Sequence, residues 1–266
     1  MNSTSTVYNQ AQIAKNSRRV RKAPATRSPN PGATGGEGDA GSASAKSLRQ
    51  YSAWRRSAAD ELVNALTHGL GFVLAVVGGL LMVVNVMTHG DPWRIAGCGV
   101  FVASLVAVYA ASTLSHSCSN LRWKAFFRRL DQGFIYLLIV GTYTPFGLAY
   151  WRTTAGWLLL GALWTVAVLG FFSKIFLGHR VHSISMWSYI TLGWLPVLAV
   201  PSMVHSVPLM IGGWMLVGGL CYTLGTLFLI FDARGRHFHA VWHLLVIAGS
   251  ACHFLGIFSA VASAAN

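Results

Sequence analysis

Apolar residues run through this chain in blocks of about 20, each closed by a short polar break, and that is the length a helix needs to cross the hydrocarbon of a bilayer. The blocks lie near residues 62–87, 95–117, 131–151, 155–173, 182–201, 207–231 and 239–262. An all-α bundle of seven transmembrane helices is therefore predicted, with ends placed to about 2–4 residues. The fifth block is the weakest, because Pro196 and Pro201 interrupt it. Gly141 and Pro145 in the third predict a kink rather than a break, since neighbouring helices can satisfy the backbone groups that proline frees.

Composition supports a polytopic membrane protein: 54% of the 266 residues are hydrophobic and 10% charged, with a mean hydropathy of +0.52. An ordinary soluble domain is excluded. Residues 1–57 differ in kind, and no large apolar side chain occurs between Ala25 and Ser47. Such a stretch cannot bury a core, so a disordered basic tail is expected ahead of a membrane domain at 58–266. No apolar run follows Met1, so a cleaved secretory signal is not expected. The acid-free start as far as Glu37 also resembles an organellar transit peptide, though without marked amphipathicity. A simpler use for the tail is to lie against anionic lipid headgroups on the cytoplasmic face.

The distribution of basic residues predicts orientation. Of the 20 Lys and Arg, 10 lie in the tail up to Arg56, and eight more lie in the loops that share its side: Arg122, Lys124, Arg128, Arg129, Lys174, Arg180, Arg234 and Arg236. The opposite side holds only Arg94 and Arg152. By the positive-inside rule the amino terminus is cytoplasmic and the carboxyl terminus outside. The net charge of +13 is thus a topological signal rather than a nucleic-acid-binding one, which would need basic and aromatic residues interleaved on a folded surface. The membrane is expected to be the plasma membrane, or the inner membrane in a bacterium, with an organellar membrane as the alternative. Cys98, Cys118, Cys221 and Cys252 show no CxxC spacing and suggest neither a disulfide framework nor a thiolate metal site.

On that topology the polar residues of the apolar blocks gather at one depth. Glu61, Asn64 and His68 lie at i, i+3 and i+7 on one face at the cytoplasmic start of the first helix. Ser112 and His116 lie one turn apart at the cytoplasmic end of the second, Asp131 opens the third, and His239 and His243 open the seventh. Each has a plain structural alternative. Glu61 and Asp131 could stabilise helix amino termini, Asp60 could cap one, and His68 could be a packing histidine. His253 lies about 15 Å beyond His243 along a helix, too far to share its ligand, and is read as structural. His89, His179, His182, His205 and His237 fall in loops or at segment ends and read as solvated.

Chemistry gives this set a common purpose. His239 and His243 share a helix face, and with His116 they make three neutral imidazoles, the zinc set that leaves a fourth position open for water. Ionisable groups at membrane depth are costly and mark functional sites. Asp131 is placed to act as general base or acid on that water, and Ser112 to orient water or stabilise an oxyanion. The expected reaction is hydrolysis of an amide or ester in a membrane lipid. The motifs E-x-x-N-x-x-T-H from Glu61 to His68, S-x-x-x-H from Ser112 to His116, Asp131 followed by Gly141 to Pro145, and H-x-x-x-H from His239 to His243 with a later His253 span residues 61–253. In their order and spacing the chain resembles the hemolysin III family of the progestin and adiponectin receptor (PAQR) superfamily, which also resembles alkaline ceramidases. The resemblance implies a seven-helix bundle with an inside amino terminus and zinc held by His116, His239 and His243. It also implies a choice among a ceramidase-like hydrolase of ceramide or another acyl lipid, a receptor or membrane-homeostasis regulator with structural zinc, and a cytolytic protein.

Overall fold

A computed structural model describes residues 37–89, 91–177, 182–199, 207–232 and 237–262, and these are almost entirely helical. In chain order the helices are α1 (Glu37–His89), α2 (Pro92–Ser117), α3 (Leu121–Tyr150), α4 (Thr154–Leu177), α5 (His182–Trp194), α6 (Leu209–Ile230) and α7 (Phe238–Ala262), with a 3-10 turn at Leu195–Ala199 after α5. Six of them are long and apolar enough to cross a membrane, α1 doing so through Ala58–Thr88. The chain is an integral multi-pass membrane protein.

The exception is the fifth expected span. Helix α5 has 13 residues, about 20 Å of rise against the roughly 30 Å of a bilayer core. It ends one residue before Leu195-Pro196, where proline disfavours the α conformation of the residue preceding it and takes away a helix donor. The backbone tightens there into the 3-10 turn. Pro201 lies outside the described residues. At the other proline the helix persists, and α3 runs through Pro145 to Tyr150. Residues 1–36 of the expected tail also lie outside the described residues, and α1 begins at Glu37, inside the segment read as tail.

Local sequence explains where the helices begin. The Asp91 carboxylate accepts from the backbone N–H groups of Trp93 and Arg94 at 2.9 and 3.1 Å, with Pro92 at the first helical position, where a missing donor costs nothing. Asn120 caps α3 in the same way through the Arg122 N–H at 2.9 Å. Along α1 the buried positions Asn64, His68, Gly71, Ala75, Gly79, Met82 and Val86 recur every three or four residues, while Leu62, Leu66, Leu70, Leu74 and Leu81 face outward. In lipid this apolar outer surface needs no cover. The inner stripe, small and polar, is the face that packs.

Phe101, Leu105 and Tyr109 of α2 pack with Met82 of α1, Leu138 and Phe146 of α3 and Ile257 of α7 in one core. Val140, Leu160, Leu163 and Leu192 join α3, α4 and α5 in a second. Helix α3 therefore lies between the two. Its approach to α2 depends on Gly97, where a Cβ would stand 2.7 Å from the Pro145 Cα, a backbone atom that cannot swing away. Gly97→Ala is expected to destabilise the bundle by about 1–3 kcal/mol, the usual cost of overpacking. A thermal melt of the detergent-solubilised protein should show the loss, and an unshifted melting temperature would mean that α2 and α3 separate freely.

Candidate metal centre

Four stretches of chain bring the site together. Helix α1 supplies the buried Asn64 and His68 and, beside them, the half-buried Glu61 and Thr67, the last turns of α2 supply Ser112 and His116, and the first turns of α3 supply Lys124 and Asp131. The fourth is the turn after α6 with the start of α7, which carries Asp232, His239, Trp242 and His243. His239 and His243 are four positions apart, so one helical turn stacks them on the same face.

His116, His239 and His243 each offer a ligand atom, and these atoms lie within 4.8 Å of one another. Ring centroids are 4.6 Å apart for His239 and His243, 5.1 Å for His116 and His243, and 5.3 Å for His116 and His239. Each ring is also held from behind through Nδ1. His116 Nδ1 lies 2.9 Å from Glu61 Oε2, an oxygen that Lys124 Nζ also reaches at 2.8 Å. His239 Nδ1 lies 3.1 Å from Asp232 Oδ2, and His243 Nδ1 lies 3.3 Å from Thr67 Oγ1. On the opposite side of the rings, Nε2 of His239 and Nε2 of His243 are buried without a hydrogen-bond partner.

Orphaned buried nitrogens cost free energy unless something satisfies them. Three imidazoles converging on one point, with free nitrogens on the inner side, fit a borderline-soft transition metal such as zinc with one position left for another ligand. A hard cation such as magnesium or calcium would call for oxygen donors instead.

The other residues singled out from the sequence lie outside this ligand group. His68 is 1% exposed and its ring lies against that of His243, with centroids 3.6 Å apart, while Tyr109 meets it edge-on at 5.3 Å. Both His68 ring nitrogens are buried and unpartnered. Asn64 is buried, and its backbone carbonyl accepts from Thr67 Oγ1 at 3.0 Å. Asp131 is buried and is not in the ligand group. Ser112 is its neighbour, yet Ser112 Oγ, fully buried, has no partner in hydrogen-bonding geometry.

Asp131 and His68 both line a cavity of about 120 Å³ whose walls are mainly apolar. Ile135, Leu138 and Ile139 of α3, Met186 of α5 and Trp242 and Val246 of α7 contribute, and the lining continues to His253. From Trp242 to His253 this follows about 16 Å of helix. His253 itself is buried against Tyr222, with Nδ1 3.3 Å from Met215 Sδ, away from the three-histidine cluster. Most of the hydroxyls along the cavity are already bonded, as where Tyr222 Oη meets Ser250 Oγ at 2.8 Å and Tyr189 Oη donates to the Gln132 carbonyl at 2.7 Å.

Sequence reasoning missed three participants. Asp232 sits in a short charged connection and reads as a loop acid. Lys124 reads as one more topological positive charge, and Thr67 as a passive part of a motif. None carried a helical-periodicity signal: Asp232 stands seven residues before His239 but in the turn after α6, not on α7.

The family model described as haemolysin-III related matches residues 56–254. Hemolysin-3 of Bacillus cereus is 35% identical over 195 residues, which covers 73% of this chain and 89% of that protein. A Hemolysin-3 homolog of Bacillus subtilis (strain 168) is 35% identical over 195 residues, 73% and 91% of the two chains. The human monocyte to macrophage differentiation factor is 28% identical over 211 residues, 74% of this chain and 83% of its own.

Proposed function

The chain belongs to the haemolysin-III-related family, and from that membership and the site's geometry we propose that it is a zinc-dependent lipid hydrolase. Its preferred substrate class is an amide-linked acyl lipid of the ceramide type, and the site opens on the cytoplasmic side of a plasma or bacterial inner membrane. The observation that carries this reading is the meeting of a three-nitrogen cluster with a long apolar cavity at His68, which lines the cavity and lies against the His243 ring; Asp131 lines the same cavity. When bound, zinc supplies a Lewis acid and water acidified to a pKa of about 7.

The protein's own groups do the rest. Apolar walls take the acyl chain and exclude water from all but the cluster end of the cavity, so the scissile carbonyl is delivered to a fixed place. The Asp131 carboxylate accepts a proton from the attacking water and returns it to the departing amine nitrogen, which balances the hydrolysis. The Ser112 hydroxyl, a neighbour of Asp131, donates to the oxygen on which negative charge develops.

Purified protein loaded with zinc is expected to release fatty acid from one or more members of a panel of ceramides and acyl esters. Stoichiometric zinc with no release from any of them would overturn the hydrolase reading. The proposed orientation has its own check: a reporter fused at the amino terminus should be active only in the cytoplasm and one at the carboxyl terminus only outside. The reverse result would put the site on the other face.

A second reading has one observation in its favour. The three ligand histidines come from α2 and α7, so an ion held by all of them ties those helices together, as a receptor or membrane-homeostasis regulator with structural zinc would require. If alanine at Asp131 and Ser112 left cellular activity intact while alanine at His239 prevented folding, this second reading would replace the first.

A further inference from the structure

The geometry points to Glu61, Thr67 and Asp232 as a shell of positioning residues that lock all three imidazoles into a single tautomer, Nδ1–H outward and the Nε2 lone pair inward. The inference rests on the metal reading above, and it follows from counting protons. A carboxylate oxygen only accepts, so the contacts of 2.9 Å from Glu61 to His116 and 3.1 Å from Asp232 to His239 require each ring to donate from Nδ1.

Thr67 reaches the same result without a charge. Its Oγ1 lies 2.9 Å from the Val63 carbonyl and 3.0 Å from that of Asn64, and the single hydroxyl proton is spent on one of them. Towards His243 Nδ1 at 3.3 Å the oxygen can then offer only a lone pair. The Asn64 carbonyl, another acceptor, also reaches the His243 ring. Every group behind the three rings is therefore an acceptor. A neutral imidazole that donates from Nδ1 has its lone pair on Nε2, the nitrogen left orphaned and buried in His239 and His243. The opposite tautomer would set buried N–H donors against one another and leave the outer acceptors unmatched.

Lys124 adds an asymmetry. It shares Glu61 Oε2 with His116, so that carboxylate is pinned between two donors and cannot swing inward to become a ligand itself. Asp232, half-exposed at the end of α6, anchors the connection between α6 and α7 to the first ligand of α7.

Groups of this kind behind metal-bound histidines are worth about 10–100-fold in metal affinity. The test uses the full chain in detergent, titrated with Zn²⁺ against a chromophoric chelator and with Co²⁺ read by its visible absorption. Thr67→Val keeps the shape and removes the hydroxyl, and Asp232→Ala removes an acceptor outside the helical core. Each is expected to weaken binding by about 10–100-fold and to alter the Co²⁺ spectrum. Thr67→Ser and Asp232→Asn retain an acceptor and are expected to bind close to wild type, a rescue that loss of packing would not produce.

Wild-type affinity and an unchanged Co²⁺ spectrum in both Thr67→Val and Asp232→Ala would overturn the inference. So would Thr67→Ser and Asp232→Asn failing to rescue. Should Thr67→Val not fold, the half-exposed Asp232 pair decides the matter alone. A wild-type chain that takes up neither ion would overturn the metal reading and this inference together. Weakened variants of a chain that hydrolyses no lipid would support the shell and remove only the hydrolase.

Discussion

Protein carrying His243→Ala should be purified with its metal lost, whatever the ion is found to be in the wild type. Structural zinc sites with four protein ligands bind with about 10–16 kcal/mol, so one donor is worth roughly 3–4 kcal/mol, or 10²–10³-fold in affinity. With only three protein nitrogens to begin with, losing one leaves a pair that competes poorly with buffer. His243 is also fully buried and lies against His68, so the truncation opens a void costing about 3–5 kcal/mol, by analogy with other large ring-to-alanine changes. The two effects separate cleanly. His243→Gln fills most of the space, should recover much of the thermal stability, and should still lack the metal. The same loss of metal is expected for His116→Ala and His239→Ala, measured by elemental analysis of purified protein. Retention of stoichiometric metal by any of the three would redraw the ligand set.

Much of this site can be read in the sequence because helices convert spacing into direction. His239 and His243 are one turn apart, as are Ser112 and His116, and Glu61, Asn64 and His68 share a stripe, so each set must present one face wherever the helix lies. Apolar blocks of membrane length supply the rest, since their ends fix which residues share a depth. Contacts with non-helical chain are invisible to that logic. Asp232 lies in a turn, and nothing in its neighbours' periodicity says that its carboxylate folds back onto His239. Thr67 faces α7 only because α1 has a particular rotation, a property of packing rather than of pattern. Lys124 is a topological charge in sequence and a partner of Glu61 in space, and these roles do not exclude each other.

The fifth segment shows the converse limit. Hydropathy marks it as a block of membrane length, but an average over the block is blind to where a donor is missing, and so to the change from α-helix to 3-10 turn after Trp194. The cavity, too, could not be read from the sequence, because its lining is drawn from six helices and, apart from His68, Asp131 and His253, its residues look like ordinary core.

Asp131→Asn should abolish hydrolysis while leaving the metal in place. The carboxyl lies outside the ligand group, so the three nitrogens remain, and the amide is nearly isosteric, so the packing of α3 is kept. What is lost is the only carboxylate lining the cavity among the described residues, the group able to take a proton from water and pass it to a leaving nitrogen. General acid–base catalysis of that kind is worth about 10²–10⁴-fold, and the fall should appear in kcat with little change in KM, because the cavity walls that bind the acyl chain are untouched. Ser112→Ala should have the smaller effect, since it removes one donor and its loss leaves Asp131 free to act. Three outcomes carry distinct meanings. Loss of metal in Asp131→Asn would make the carboxylate a ligand, and full activity would remove it from the chemistry. Metal retained with activity lost would separate holding the ion from using it, and that separation distinguishes an enzyme from a bundle clasped by zinc.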